Sequence, residues 1–97
     1  MTIKRMIQIY NLNYCIDLCS LETSPQKFNQ IVKDIEEILA SVETTELQEV
    51  FVLEMKLLHE SAQNVYHLSC HTPVDDHIFT DAVLNLKTIA TRAFQNL

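Results

Sequence analysis

Four side chains in the second half of the sequence have the chemistry of metal ligands: His67, Cys70, His71 and His77. On a helix, residues three and four positions apart share a face, so the first three could bring imidazole and thiolate groups together. Such ligands suit zinc or copper, but a closed site needs four, and His77 would have to complete it across Pro73. Helix C-termini favour histidine on electrostatic grounds alone. The placement of these histidines by helix electrostatics is the stronger interpretation, and we predict neither a metal site nor another cofactor.

Other residue types that could support catalysis do not form a recognisable site. Cys15 and Cys19 are four residues apart, but no Lys, Arg or His lies near them in the sequence to lower a thiol pKa. His59 and Glu60 are adjacent, yet the HExxH spacing of zinc proteases is absent. The chain has no glycine, which excludes phosphate-binding loops, dinucleotide fingerprints and nucleophile elbows. We therefore predict that the protein is not an enzyme.

Helices must position these residues, because a chain of 97 residues without glycine lacks the usual turn residues of β-hairpins. Apolar residues recur at steps of three and four in three segments, which predicts amphipathic helices at about 25–42, 45–70 and 73–96. Ser24 can cap the first of these helices, with Pro25 at its first position.

The first twenty residues are compatible with two structures. A helix fits the apolar row made of Ile3, Met6, Ile7, Tyr10, Tyr14, Leu18 and Leu21. The alternation of apolar and polar residues from Tyr10 to Leu18 fits a strand as well. Because a lone strand would leave unpaired edges in a helical chain, a helix at about 3–20 is predicted. The whole prediction is an all-α domain over residues 1–97, a small helical bundle built on a long antiparallel hairpin.

The helix predicted at 45–70 carries more apolar surface than its own chain is expected to cover. One apolar row contains Leu47, Phe51, Met55, Leu58, Ala62 and Val65. A second row contains Val50, Leu53, Leu57 and Leu68. Half-covered rows of this kind present grooves to other proteins. We predict that the second row contacts a protein partner or a second copy of the chain, with Glu46, Glu49 and Glu54 as an acidic rim.

The charge of the chain narrows the class of partner. Thirteen acidic residues against seven basic ones give a net charge of −6, which argues against nucleic acids and anionic membranes. No apolar stretch is long enough to span a bilayer, and three cysteines without a disulfide framework favour the cytoplasm. The sequence thus predicts a small acidic interaction protein (an adaptor, chaperone or inhibitor) in a homodimer or heterocomplex. The alternative is a metal-binding or metal-sensing bundle.

Overall fold

A computed structural model describes residues 3–19, 24–41, 49–71 and 76–95 of the chain. This part of the chain folds into four helices: α1 (Ile3–Asp17), α2 (Pro25–Ser41), α3 (Glu49–Cys70) and α4 (Asp76–Gln95). The predicted all-α bundle is confirmed, and the strand interpretation of the first segment is wrong. The first helix ends at Asp17, before its predicted end at about residue 20. The predicted helical residues 45–48 and 73–75 lie outside the described residues, as do 20, 42, 96 and Leu21 of the first predicted row.

Consecutive helices pack side by side and run in alternating directions. Contacts join α1 to α2, α2 to α3, α3 to α4 and α4 back to α1, and the pairs that involve α3 are the most extensive. In the described residues, α1 therefore lies diagonally across the bundle from α3, and α2 from α4. This is the up-down-up-down arrangement that short connections favour. The diagonal placement matters for function because α1 and α3 face different sides of the molecule.

The start of α2 follows the capping pattern in its sequence. The Ser24 carbonyl accepts hydrogen bonds from the backbone amides of Lys27 (3.0 Å) and Phe28 (3.4 Å). Pro25 occupies the first helical position, where its missing amide hydrogen leaves no helical bond unmade. α2 therefore begins where the Ser-Pro pair predicted it.

The core follows the apolar rows that the periodicity identified in the last three helices. In α2 the buried side chains are Phe28, Ile31, Val32, Ile35 and Ile38. In α3 they include Phe51, Met55, Leu58, Ala62 and Val65, and in α4 Phe79, Val83, Leu86, Ala90 and Ala93. Each large side chain in these rows contributes roughly 1.5–3 kcal/mol by leaving water. Leu47, the first member of the predicted row that α3 buries, lies outside the described residues.

Two contacts join helices through the interior of the bundle. The rings of Phe28 and Phe79 meet edge to face with centroids 5.8 Å apart, which brings the first turns of the diagonal helices α2 and α4 together. The Asn85 amide donates a hydrogen bond of 3.5 Å to the hydroxyl of the buried Ser61. α2 and α4 thus start at the same end of the bundle, whose longest dimension is 44 Å. In the described ranges, none of the helices has the length and hydropathy needed to cross a membrane.

Candidate functional site

One side of α1 carries a continuous row of exposed apolar side chains, which we call the α1 face. Its members are Ile3, Met6, Ile7, Tyr10, Tyr14 and Leu18, each exposed by 53–77%. Leu18 continues the row just past the end of the helix, where its amide donates a hydrogen bond of 3.2 Å to the Tyr14 carbonyl. The row therefore runs the full length of α1 on the outside of the bundle.

The opposite side of α1 packs into the core. Its buried residues are Arg5, Ile9, Leu12 and Ile16, and Cys19 continues that row after the helix ends. At 3.6 residues per turn, this row lies about 160° around the helix axis from the α1 face. The apolar row from Ile3 to Leu18, on which the helix prediction rested, is thus the exposed one. α1 has two apolar sides, and the bundle covers one of them.

A second, shorter apolar surface lies at the start of α3. Val50, Leu53 and Leu57 are exposed by 44–60%, and we call them the α3 patch. Leu68, the last member of the predicted row, is half-buried against the core instead. Because α3 lies diagonally from α1, the α3 patch and the α1 face are separate surfaces.

The three acids predicted to rim the α3 row have different surroundings. Glu49 is exposed in the first turn of α3, beside the α3 patch. Glu54 accepts a hydrogen bond of 2.8 Å from the Arg92 guanidinium and joins α3 to α4, with 17% of its side chain exposed. Glu46 lies outside the described residues. Of the three, Glu49 is the acid that the structure places in solvent next to exposed apolar side chains.

The candidate metal ligands are all exposed at one end of α3 and at the start of α4. Three of them, His67, Cys70 and His71, are surface residues at the end of α3. The ring centroids of His67 and Tyr66 are 5.6 Å apart. The His77 imidazole lies 3.6 Å from the Asp81 carboxylate one turn along α4. Within the described residues, no three His, Cys, Asp or Glu side chains converge in a way that could hold an ion.

The remaining candidates for chemistry lie in contacts between or within helices. The His59 imidazole is 3.1 Å from the Glu36 carboxylate, so it bridges α3 and α2 rather than pairing with its neighbour Glu60. The Cys19 thiol donates a hydrogen bond of 3.3 Å to the Cys15 carbonyl. Burial raises the pKa of Cys19 above its ordinary value of 9.0, although Lys27 and Lys87 act in the opposite direction. Cys19 is therefore a protonated thiol at neutral pH.

A shallow groove between α1 and α2 has a volume of about 160 Å³. Its lining is mostly polar and consists of Gln8, Asn11, Leu12, Cys15, Asp34 and Glu37. The Gln8 amide donates to the Glu37 carboxylate across it at 3.2 Å. Small-molecule sites usually have about 300–1,000 Å³ of largely apolar volume, so this groove does not have the character of a ligand pocket.

Sequence reasoning did not single out the α1 face as a binding surface. Its signal was present, however, in the two tyrosines of the row. A buried tyrosine needs a hydrogen-bond partner for its hydroxyl, whereas Ile9, Leu12 and Ile16 in the other row have no polar side-chain atoms. The other row also buries Arg5, so the tyrosines alone did not distinguish the two rows. A comparison of this chain with protein-family models, curated proteins and solved structures finds no match.

Proposed function

We propose that this protein acts by binding another protein, or a second copy of itself, through exposed apolar helix faces, and not by catalysing a reaction. An adaptor, a chaperone and an inhibitor all act through such docking, and we place this activity in the cytoplasm. The three free cysteines suit a reducing compartment.

The observation that carries this proposal is the size of the α1 face. A large side chain such as tyrosine has about 150–250 Å² of surface, so six large side chains exposed by 53–77% present roughly 570–940 Å² together. The largest apolar patch of a typical monomer is about 300–600 Å² and is often functional. A larger continuous patch lowers the solubility of a protein unless a partner covers it, which supports a docking role.

The chemistry of the two surfaces also fits protein contacts. Tyrosine is enriched in protein interfaces because its ring packs against apolar groups while its hydroxyl reaches water or a polar partner, and the α1 face holds Tyr10 and Tyr14. The α3 patch lies beside the exposed Glu49 and suits a partner with basic residues around an apolar centre. Of the predicted contact residues of α3, Val50, Leu53, Leu57 and Glu49 therefore remain part of the proposal.

Site-specific photocrosslinking in the native cells tests the proposal. A photoreactive amino acid is placed at Tyr10 in one version of the protein and at Leu53 in another, so that each surface is probed separately. The matched control carries the same amino acid at Lys33, an exposed position on α2. We expect a discrete cross-linked product from Tyr10, Leu53 or both, and none from Lys33, with both polypeptides identified by mass spectrometry.

The comparison of cross-linked products from Tyr10, Leu53 and Lys33 decides whether the proposal holds. A product that forms from an apolar surface but not from Lys33 supports docking, whether the second polypeptide is another protein or the same chain. Products that form equally from all three positions reflect random collision and contradict the proposal. The absence of any product from Tyr10 and Leu53 in illuminated cells would also contradict it.

A further inference from the structure

We infer that the α1 face is the contact surface of a two-fold symmetric dimer, in which α1 packs antiparallel to the α1 of a second copy of this chain. This inference rests on the proposed function and names the partner of its larger surface.

The area of the α1 face matches one half of a stable interface. Each partner in a standard protein–protein interface contributes about 800 Å². The six side chains of the α1 face present roughly 570–940 Å², a range that includes this value, because each is exposed by more than half of a surface of about 150–250 Å². Two copies of this one face therefore supply a complete interface without a contribution from the other helices.

The distribution of charge also favours a second copy at this position. The exposed charges of α1 are Lys4 and Asp17, which cancel, while Arg5 is buried on the core side of the helix, so the outer surface of α1 carries no net charge. α2 and α3 are acidic, and the acids and bases of α4 balance. Two molecules that each carry a charge of −6 repel one another least where their acidic surfaces stay apart. Contact through α3 would instead bring the exposed Glu49 and Glu60 of both copies together.

The arrangement of side chains along α1 fits an antiparallel pairing. The row extends from Ile3 to Leu18, and its midpoint falls beside Tyr10. A two-fold axis at this midpoint places Ile3 and Ile7 of one copy against the Tyr14 end of the other, so both rows are covered along their whole length. A two-fold interface uses the same patch on both subunits, so that patch must be complementary to itself. The single apolar row of α1 meets this requirement.

Analytical ultracentrifugation of the full chain, with and without a charge in the face, tests the dimer. We expect the wild type to sediment as a reversible dimer at about 100 μM. Ile7→Glu places a charge in the centre of each half of the contact and should raise the dissociation constant about 100-fold or more. The matched control is Ile78→Glu on α4, because Ile78 is the same residue type as Ile7 and is exposed by 54% against 55%, and it should leave the dissociation constant unchanged. Circular dichroism and thermal unfolding of each variant report whether it is folded.

Cross-linking of introduced cysteines tests the direction of pairing without disturbing the face. The background carries Cys15→Ser and Cys70→Ser, and a short bis-maleimide joins thiols that lie close together. We expect Tyr10→Cys to cross-link to the same residue in the second copy because it lies beside the axis. Ile3→Cys should not cross-link to itself, since the antiparallel pairing separates the two Ile3 positions by about 20 Å.

Three results would overturn the inference. They are a wild type that stays monomeric at about 1 mM, a dimer that Ile78→Glu dissociates as strongly as Ile7→Glu, and efficient cross-linking of Ile3→Cys to itself. A monomeric wild type whose Tyr10 photocrosslinker still captures a different protein removes the dimer and keeps the proposed function. A monomer that gives no product from either Tyr10 or Leu53 removes both.

Discussion

At the residue scale, burial in the bundle changes the ionisation of one reactive side chain, the Cys19 thiol. The thiol lies at the end of the buried row of α1, two residues after the helix ends. It donates a hydrogen bond to the Cys15 carbonyl, one helical turn earlier in the chain. An ionised thiolate at this position would lose its hydration, and this cost is the main cause of the raised pKa of Cys19. The side chain therefore acts as a small apolar residue and contributes to stability only while it is protonated.

This pKa shift predicts a loss of stability in alkali. In the unfolded chain Cys19 ionises around its ordinary pKa of 9.0, whereas in the folded protein it holds its proton to higher pH. The folded state then binds more protons than the unfolded state, so the free energy of unfolding falls as the pH rises from about 9 toward the folded pKa. Urea denaturation at several pH values should show a shallower decline for Cys19→Ala than for the wild type.

The control for this experiment is Cys70→Ala, because the Cys70 thiol is exposed and its loss should leave the alkaline decline unchanged. Tyrosines and lysines also titrate in this range, and the comparison between variants removes their common contribution. A Cys19→Ala protein whose stability declines as steeply as that of the wild type would contradict the assignment.

At the element scale, helix periodicity predicts where helices form better than it predicts which side of a helix is buried. In α2 the apolar residues fall on one side, so the row from Phe28 to Ile38 could only be the core row, and the structure confirms it. In α1 two apolar rows lie on opposite sides, and both have helical spacing. The choice between them depends on which row fits the surfaces of α2 and α4, and that information lies in other parts of the sequence.

The same limit applies to α3. The spacing identified both of its apolar rows, and the row of Phe51, Met55 and Leu58 is buried. Leu68 belongs by spacing to the exposed row, but it lies near the end of the helix and packs against the core. Position along the helix thus decides burial as much as angular position does, because neighbouring helices cover different lengths of α3. A sequence pattern gives the angular position of each side chain around the helix axis. It does not give how far along α3 each neighbouring helix extends.

The weaker packing of α1 predicts that it opens more easily than the rest of the bundle. α1 contacts α2 and α4 less extensively than α3 does, and one of its two apolar sides lies in solvent. Amide hydrogens in α1 should therefore exchange at least about tenfold faster than those in the centre of α3, a difference of about 1.4 kcal/mol in opening free energy. Hydrogen–deuterium exchange with mass spectrometry measures both segments in one experiment.

This measurement uses the Ile7→Glu variant at low concentration, so that self-association does not protect α1. A further substitution, Leu12→Ala, removes a buried side chain of α1 and should accelerate exchange in α1 more than in α3. Leu58→Ala removes a buried side chain of α3 and should accelerate exchange in both helices. Equal protection of α1 and α3 in the Ile7→Glu protein would show that α1 opens only with the whole bundle.

At the scale of the whole molecule, composition predicted the fold class and left the surface undetermined. A chain with no glycine and two prolines has few residues suited to hairpin turns, and the four described helices agree with that expectation. The same composition gives the net charge but not its distribution over the folded surface. That distribution emerges when α1, whose exposed Lys4 and Asp17 cancel, and the acidic α3 take diagonal positions in the bundle.

The charge of the whole molecule predicts how salt affects the inferred dimer. Each copy carries a charge of −6, so assembly works against a net repulsion, while the α1 face itself contributes apolar contact that salt does not screen. The screening length is about 30 Å at 0.01 M salt and about 8 Å at 0.15 M, so added salt shortens the range of the repulsion between the two copies. Raising sodium chloride from about 50 mM to 300 mM should therefore lower the dissociation constant about two- to fivefold, as measured by sedimentation equilibrium.

The double substitution Glu49→Gln with Glu60→Gln tests whether repulsion between the acidic residues of the two copies causes this salt effect. Both carboxylates are exposed on α3, away from the α1 face, and their loss reduces the charge of each copy by two. This variant should dimerise more tightly than the wild type at low salt and respond less to added salt, because less repulsion remains to be screened. A dissociation constant that rises with salt would instead mean that ion pairs between the copies hold the dimer together, and the apolar character assigned to the contact would be wrong.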